Sequence, residues 1–261
     1  MSMNHVVYEN VVLENKIEDL LITAVDMNSY ITPDYSLTET AGMKKEINTY
    51  TSTGNVEDLE MGEGNSDEIV VSFTTSEYEV TTTQGNFNYY DEQAMKDPMV
   101  VDVGLQGLAQ RMTNDLTTKA VAEFGKATLI KKGCTWTYDD IVDAIAMYPH
   151  ESEEGLFLLI NKAEKAAFRK NLKNELQYVE DFVRTGYIGH ICGVPVIVTD
   201  AVKAGEAFLA TKGAVKCFIK KGAEIEQERV ANTRQNKVFA RKVMLVALVD
   251  ATRVIKLTAE A

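Results

Sequence analysis

Residues 97–124 read DPMVVDVGLQGLAQRMTNDLTTKAVAEF. Asp97 stands where a helix N-cap is wanted, and Pro98 suits the first helical position because its missing N–H would be unpaired there anyway. Val101, Leu105, Leu108, Met112 and Leu116 then recur every three or four residues, which makes one apolar helix face. Gly125 is placed to end the run. The pattern predicts a single helix about 40 Å long at 1.5 Å per residue, a spine rather than an ordinary globular helix. Gly104 and Gly107 weaken it locally and mark points for a bend or a close approach.

Upstream, the pattern changes to period two. Lys44–Thr53 alternates through Ile47, Thr49 and Thr51, and Glu68–Thr83 is rich in β-branched and aromatic residues (IVVSF, YEVTTT). Between them lies GNVEDLEMGEGNSDE (54–68), acidic and Gly-rich, expected to be mobile in a lone chain. A ribbon this long has no core of its own, and a two-stranded ribbon alone is marginal in water. Something else must cover it. Residues 4–40 read as an arm, with helical spacing over Val11–Val25 (Val12, Ile17, Leu20, Leu21, Ala24) and a polar turn at Asn28–Pro33.

Downstream, 134–225 reads as a compact α/β region. Thr137 opens a helix over Tyr138–Tyr148, and Leu156–Ile160 is a short, wholly apolar buried strand. Lys162–Leu172 is an amphipathic helix with a basic outer face, and Gly193–Asp200 is a second buried strand. Phe208–Ala210 and Ala214–Lys220 continue the series. Glu224–Val230, Asn236–Asp250 and Val254–Leu257 are expected to close the lobe that holds the spine.

Charge is segregated along the chain. The formal net charge is -12, with a pI near 4.8. Such a chain is a poor general binder of nucleic acid, since phosphate contacts need clustered Lys and Arg, although it could enclose the polymer without holding it. No Lys or Arg occurs from Ile47 to Met95, where ten acidic residues stand. From Lys203 to Lys256 twelve basic residues face five acidic ones. Either these are two solvated faces of one fold, or two surfaces that meet across subunits, where complementary charge favours encounter and register. On the second reading the candidate contacts are Glu57, Asp58 and Glu60 on the ribbon tip and Arg229, Arg234, Lys237, Arg241 and Lys242 on a neighbour.

Nothing in the sequence builds a catalytic, cofactor or metal site. Gly125-Lys126-Ala127-Thr128 ends like a phosphate loop, but Ala127 follows the Lys and Ala120 replaces the first Gly. Gly186, Gly189 and Gly193 precede a strand, whereas a dinucleotide fingerprint follows one. His5, His150 and His190 lack neighbours at metal-ligand spacing. The acidic pairs Glu57-Asp58, Asp139-Asp140 and Glu153-Glu154 sit in loops and helix starts, where acids are expected. Cys134, Cys192 and Cys217 form no CxxC and read as reduced thiols. The N-terminus has no signal-peptide pattern, and no apolar run reaches the ~18 residues of a membrane helix. The chain is expected to stay in the cytoplasm where it is made, unless a larger particle carries it out.

Three segments together carry a family resemblance. GYIGHICGVPVIVTDAV (186–202) is similar to a Gly-x-Ile-Gly-x-x-x-Gly-x-Pro-Val-x-x-Ser/Thr-Asp pattern. AFLATKGAVKCFIKKGAEIEQERVANTRQNKVFARKVMLVALVDATRVIKL (207–257) resembles its usual continuation, and LFLLINKAEKAAFRKN (156–171) the strand and helix before it. These resemble tailed-bacteriophage major capsid proteins of the Hong Kong 97 fold, over about residues 42–257. The resemblance implies an α+β chain with an N-terminal arm (1–42), an extended β-hairpin loop (43–90), a peripheral domain with the spine helix (91–133), an axial α/β domain (134–225) and peripheral closing strands (226–261). It implies a non-enzymatic structural subunit without cofactor. Pentamers and hexamers of it would form an icosahedral shell around double-stranded DNA, with scaffolding and portal proteins as further partners. Synthesis would take place in the host bacterial cytoplasm and the final location would be the virion capsid.

Many members carry a long N-terminal scaffolding segment that a protease removes, whereas this sequence starts almost at the arm. Some crosslink a loop Lys to a neighbour's Asn, and from Ile47 to Met95 the ribbon has no Lys to offer. The same resemblance leaves an encapsulin-like nanocompartment shell as an alternative. A small cytosolic α/β enzyme is the reading from another class.

Overall fold

A computed structural model describes residues 6–9, 27, 30–150, 154–172 and 189–259. The helix expected over Val11–Val25, His5, Glu153 and Gly186 lie outside the described residues. In chain order come β1 (Val6–Glu9), β2 (Thr32–Asp34), β3 (Lys44–Thr53), β4 (Val70–Glu79), β5 (Thr81–Tyr90), α1 (Asp91–Lys96) and the spine α2 (Met99–Phe124). Then follow β6 (Leu129–Cys134), α3 (Tyr138–Ala146), β7 (Leu156–Ile160), α4 (Lys162–Asn171), β8 (His190–Ile191) and β9 (Val194–Val198). The chain closes with β10 (Glu206–Thr211), β11 (Val215–Val230), β12 (Gln235–Leu248) and β13 (Val254–Ala259).

The spine is built as its spacing demands. The Asp97 carboxylate accepts the Met99 N–H at 2.9 Å, which satisfies one of the orphan donors of the first turn. Leu105, Leu108, Met112, Leu116 and Phe124 are buried on one face. Two threonines share that face, and each is satisfied within the helix: Thr113 donates to Ala109 O at 3.1 Å and Thr117 to Thr113 O at 3.0 Å. The two glycines do different things. A Cβ on Gly104 would stand 2.6 Å from the Phe87 ring, and one on Gly85 would collide with Leu108. Gly85 and Gly104 are therefore what lets β5 and α2 approach closely. Gly107 has nothing within 4 Å.

Two larger sheets lie either side of a shared core. The first runs β1-β11-β12-β5, with β2 also paired to β11. The second runs β6-β13-β10-β7-β9-β8. β7 is buried at all five residues because both of its faces are covered. Phe157 and Leu159 point into the cluster with Phe124, Phe208, Val215 and Val246, while Leu156, Leu158 and Ile160 join Ile141, Phe168 and Ile255 on the other side. The first of these clusters draws on the spine and on both sheets, and so joins the two lobes. α3 starts with a capping box between Thr137 and Asp140, and α4 is capped by the Asn161 side chain, which accepts from Ala163 N at 3.2 Å.

Four sequence expectations are corrected here. Residues 81–90 leave the ribbon: β5 pairs with β12 from Thr81↔Met244 to Tyr90↔Gln235, so the hairpin proper is β3 and β4 alone. Ala214–Lys220 and Glu224–Val230 are one strand, β11, continuous through an irregularity around Gly222 that reads as a break in sequence. That strand belongs to the sheet that carries the spine rather than to the axial region. Val254–Leu257 does not close the spine lobe. A short turn at Ala251–Arg253, tied by the Asp250 carboxylate to Thr252 N at 3.0 Å, carries the chain into the second sheet, where β13 pairs with β10 and with β6. β6, in the polar stretch LIKKGC, escapes detection because its partner lies more than a hundred residues away.

Candidate assembly surface

Among the described strands, β3 and β4 pair only with each other, in one unbroken register from Lys44↔Glu79 to Thr53↔Val70. Cross-strand partners share a face and faces alternate along a strand, so this register gives the ribbon two unlike sides. One side carries Tyr50 opposite Phe73 and Ser52 opposite Val71. The Tyr50 and Phe73 rings lie 6.1 Å apart, 65% and 64% exposed. The other side is mainly hydroxyl, with Thr49 opposite Thr74 and Thr51 and Ser72 3.2 Å apart, and ends toward the tip in the exposed Val70 opposite Thr53. At the tip Val56, Leu59, Met61 and Ile69 are also exposed. Several large apolar side chains exposed on one element mark a candidate contact site.

The root of the ribbon is fixed to the body. Ile47 and Val80 are buried with Phe218 and Leu245, and Val80 N donates to Met43 O at 2.8 Å. Lys220 Nζ donates to two carbonyls just before the ribbon, Thr40 O at 2.7 Å and Gly42 O at 2.6 Å. Gly42 holds φ at +104°, a conformation that an L side chain rarely adopts. Lys45 Nζ lies 5.2 Å from the centre of the Phe218 ring. Lys126, from the stretch that resembles a phosphate loop, lies 5.2 Å from the Tyr78 ring and pairs with Glu123 at 2.6 Å.

The eight charged candidates are distributed unevenly. Glu57 turns back into its own tip, where it accepts Ser66 N at 2.7 Å and the Ser66 hydroxyl; these bonds hold its carboxyl below the usual range. Asp58 and Glu60 are exposed. Four of the five cations are engaged within the chain: Arg229 with Asp91 at 2.9 Å, Arg234 with Glu92 at 3.3 Å, Lys237 with Glu228 at 3.8 Å, and Arg241 with Glu224 at 2.6 Å and Glu226 at 3.3 Å. Lys242 has no salt bridge among the described residues. Part of the charge segregation is thus satisfied internally, because β5 delivers Asp91 and Glu92 beside the β11–β12 turn.

Arg241 and Lys221 clamp Glu224 at the irregularity in β11. Hydrogen bonds from Arg241 first, and then Lys221, lower its pKa from 4.5 to about 2. A carboxylate depressed on folding stabilises fully above its unfolded pKa and loses that contribution as pH falls through its folded one. The stability difference between the native chain and Glu224→Gln is therefore expected to be constant above pH 4.5 and to vanish between 4.5 and about 2. Urea titrations of both proteins across that range check it.

The aromatic ribbon face and Lys220 do not stand out in the sequence. Alternation in the ribbon strands is visible, but only the register sets Tyr50 beside Phe73. Among the described residues no group of three or more His, Cys, Asp or Glu side chains could hold a metal ion. No described helix is long and apolar enough to cross a membrane.

No family model matches the chain. A curated relative, the major capsid protein of Staphylococcus phage phiMR11, is 26% identical over 166 residues, covering 62% of this chain and 60% of the relative. The capsid structure of Helicobacter pylori bacteriophage KHP30 superposes with a TM-score of 0.67 over 88% of each chain, at 9% identity. The encapsulin complex of Synechococcus elongatus gives 0.59 over 88% of this chain and 84% of its own, at 12% identity. These likenesses, read with the spine, the ribbon and the two sheets, define the class: the chain has the Hong Kong 97 capsid fold.

Proposed function

We propose that this chain is the major capsid protein of a tailed bacteriophage, a subunit that acts by assembling into an icosahedral shell. The observation that carries the reading is the β3–β4 ribbon. It is rooted firmly in a folded body, yet its aromatic side is bare, so its covering surface belongs to another subunit. The relative in the Staphylococcus phage supports the same role. Pentamers and hexamers would meet through the axial region, and the ribbon of each subunit would lie over a neighbour. The acidic chain would enclose double-stranded DNA without sequence-specific contacts. Scaffolding and portal proteins are the expected further partners, the host cytoplasm the site of synthesis and the virion the destination.

Electron microscopy and size-exclusion chromatography of the chain, alone and co-expressed with the proteins encoded beside it, test this. Shells, tubes or capsomer rings are expected. A discrete monomer or dimer under both conditions would overturn the reading in favour of an ordinary globular protein. Particles filled with a protein cargo instead of DNA would make the chain an encapsulin-type shell, the alternative reading, whose fold the Synechococcus elongatus complex shares.

The acidic tip is proposed to pair with basic residues of a neighbour, with Lys242 the cation left without a salt bridge among the described residues. Exposed pairs contribute only about 0–1 kcal/mol each, but a shell repeats them at every subunit. The triple variant Glu57→Lys, Asp58→Lys, Glu60→Lys is expected to fold normally and assemble poorly at low salt. Unchanged particle yield would rule the pairing out.

A further inference from the structure

α4 departs from the charge balance of the chain. The whole carries a formal charge of -12, yet Lys162, Lys165, Arg169 and Lys170 stand close together on this one helix, whose only acid is Glu164. Glu164 is turned inward: it is 4% exposed, and its Oε1 accepts Gly205 N at 2.6 Å. The cations are presented outward. Arg169 and Lys170 are exposed and Lys165 is half-buried, and none of the three side chains has a salt bridge or hydrogen bond among the described residues. Lys162 pairs with Asp200 at 2.6 Å on the open surface. Elsewhere the fold joins cations to acids, as with Lys131 and Asp143 or Arg241 and Glu224. On α4 it leaves them unpaired.

The face is held rigidly. Phe168 and Leu172 anchor the helix in the core of the second sheet, with Phe168 edge-on to Trp136 at 5.9 Å. Asn161 caps the helix start, and its Nδ2 donates to Val202 O at 2.6 Å. Together with the Glu164 bond to Gly205, this ties the following loop to the first turn at two points. Lys203 lies between them, exposed and without a salt bridge among the described residues, and so joins the same basic surface.

The composition of this surface selects the partner. Between the cations stand Ala163 and Ala166, both exposed, and none of the large exposed apolar side chains lies on α4. A protein partner draws much of its binding energy from large, fully desolvated anchors, and this face offers no aromatic or aliphatic one. Nucleic-acid interfaces are polar and strongly positive, and alanines between the cations let a phosphate backbone come close. From Lys162 to Lys170 the helix runs about 12 Å, a length of duplex that carries about seven phosphate charges.

We propose that this face of α4, with Lys203, holds the phosphate backbone of double-stranded DNA through Lys165, Arg169 and Lys170. The contact is independent of base sequence. It rests on the capsid reading, in which the chain encloses that polymer, and it places α4 on the inner wall of the shell.

Fluorescence anisotropy of a labelled duplex of about 20 base pairs, titrated with the full-length subunit from about 20 to about 200 mM salt, tests it. The native chain is expected to bind with an affinity that falls steeply as salt rises. The triple variant Lys165→Gln, Arg169→Gln, Lys170→Gln is expected to bind about tenfold more weakly or worse, with a log–log salt slope flatter by about two to three. Its melting temperature is expected to hold, since no substituted side chain lies in the core. The control Lys96→Gln, Arg111→Gln removes two exposed cations of α1 and the spine and is expected to bind like the native chain. Absence of binding by the native chain at low salt, or a native slope in the triple variant, would overturn the proposal. Binding to poly-glutamate as tight as to the duplex would also overturn it, in favour of an acidic protein partner. Microscopy reads assembly separately. A triple variant that forms no particles where the native chain does would make the face a subunit contact and overturn the proposal. A native chain that binds the duplex through these residues but forms no particle would overturn the capsid reading alone.

Discussion

Phe157→Ala is expected to lower the unfolding free energy by about 3–5 kcal/mol, the range for deleting a buried aromatic side chain. Phe157 sits on β7, 2% exposed, with the Tyr30 ring at 5.0 Å and the Phe124 ring edge-on at 6.0 Å. Its neighbours come from the end of the spine, from the second sheet and from β11 and β12 of the first, so the cavity opens where the lobes join. Surroundings drawn from several elements relax little into such a space. Phe157→Leu keeps most of the volume and is expected to cost less than half as much. Urea unfolding of the unassembled subunit, followed by circular dichroism, measures both. The shared cluster also requires one cooperative transition. Two separated transitions, or a loss under 1 kcal/mol, would mean that the lobes are stabilised independently.

Replacing residues 49–74 with an Asn-Gly turn is expected to abolish assembly while leaving the subunit folded. The cut joins Asn48 to Thr75, which face each other across the ribbon, and a two-residue turn suits that geometry. It retains Ile47, Val80 and the Lys44–Glu77 pair at the root, and it removes Tyr50, Val71, Phe73 and the acidic tip. Those lost groups are exposed in the subunit, so its melting temperature is expected to change by only a few degrees. Particle yield, read by sedimentation and microscopy, is expected to fall to background. Normal particles from the shortened chain would remove the ribbon from the assembly mechanism.

The contrast between these two variants reflects what was legible in the sequence. Elements defined by local periodicity could be read directly. Lys44–Thr53 and Leu156–Ile160 have the expected bounds, and the spine begins within two residues of Asp97. Their apolar spacing and caps are local properties of the chain. The charge imbalance was also legible, but its satisfaction was not: Arg229 and Arg234 meet Asp91 and Glu92 across more than 130 residues.

Which strand joins which sheet was not readable either. β5 looks like an extension of the ribbon because Thr81–Thr83 continue its β-branched pattern, and only pairing with β12 removes it. β13 looks like the neighbour of β12 because it follows it, yet the turn at Ala251–Arg253 carries it to the other sheet. By itself, then, the sequence determined the spine, α3, α4, most of the described strands and the family resemblance, because each rests on residue spacing, while the short α1 carries no such signal. The tertiary structure alone decided strand order, the two unlike faces of the ribbon, the pinning of its root by Lys220 and the pairing of β5 with β12. Those depend on register and long-range pairing, which alternation along a single strand does not encode.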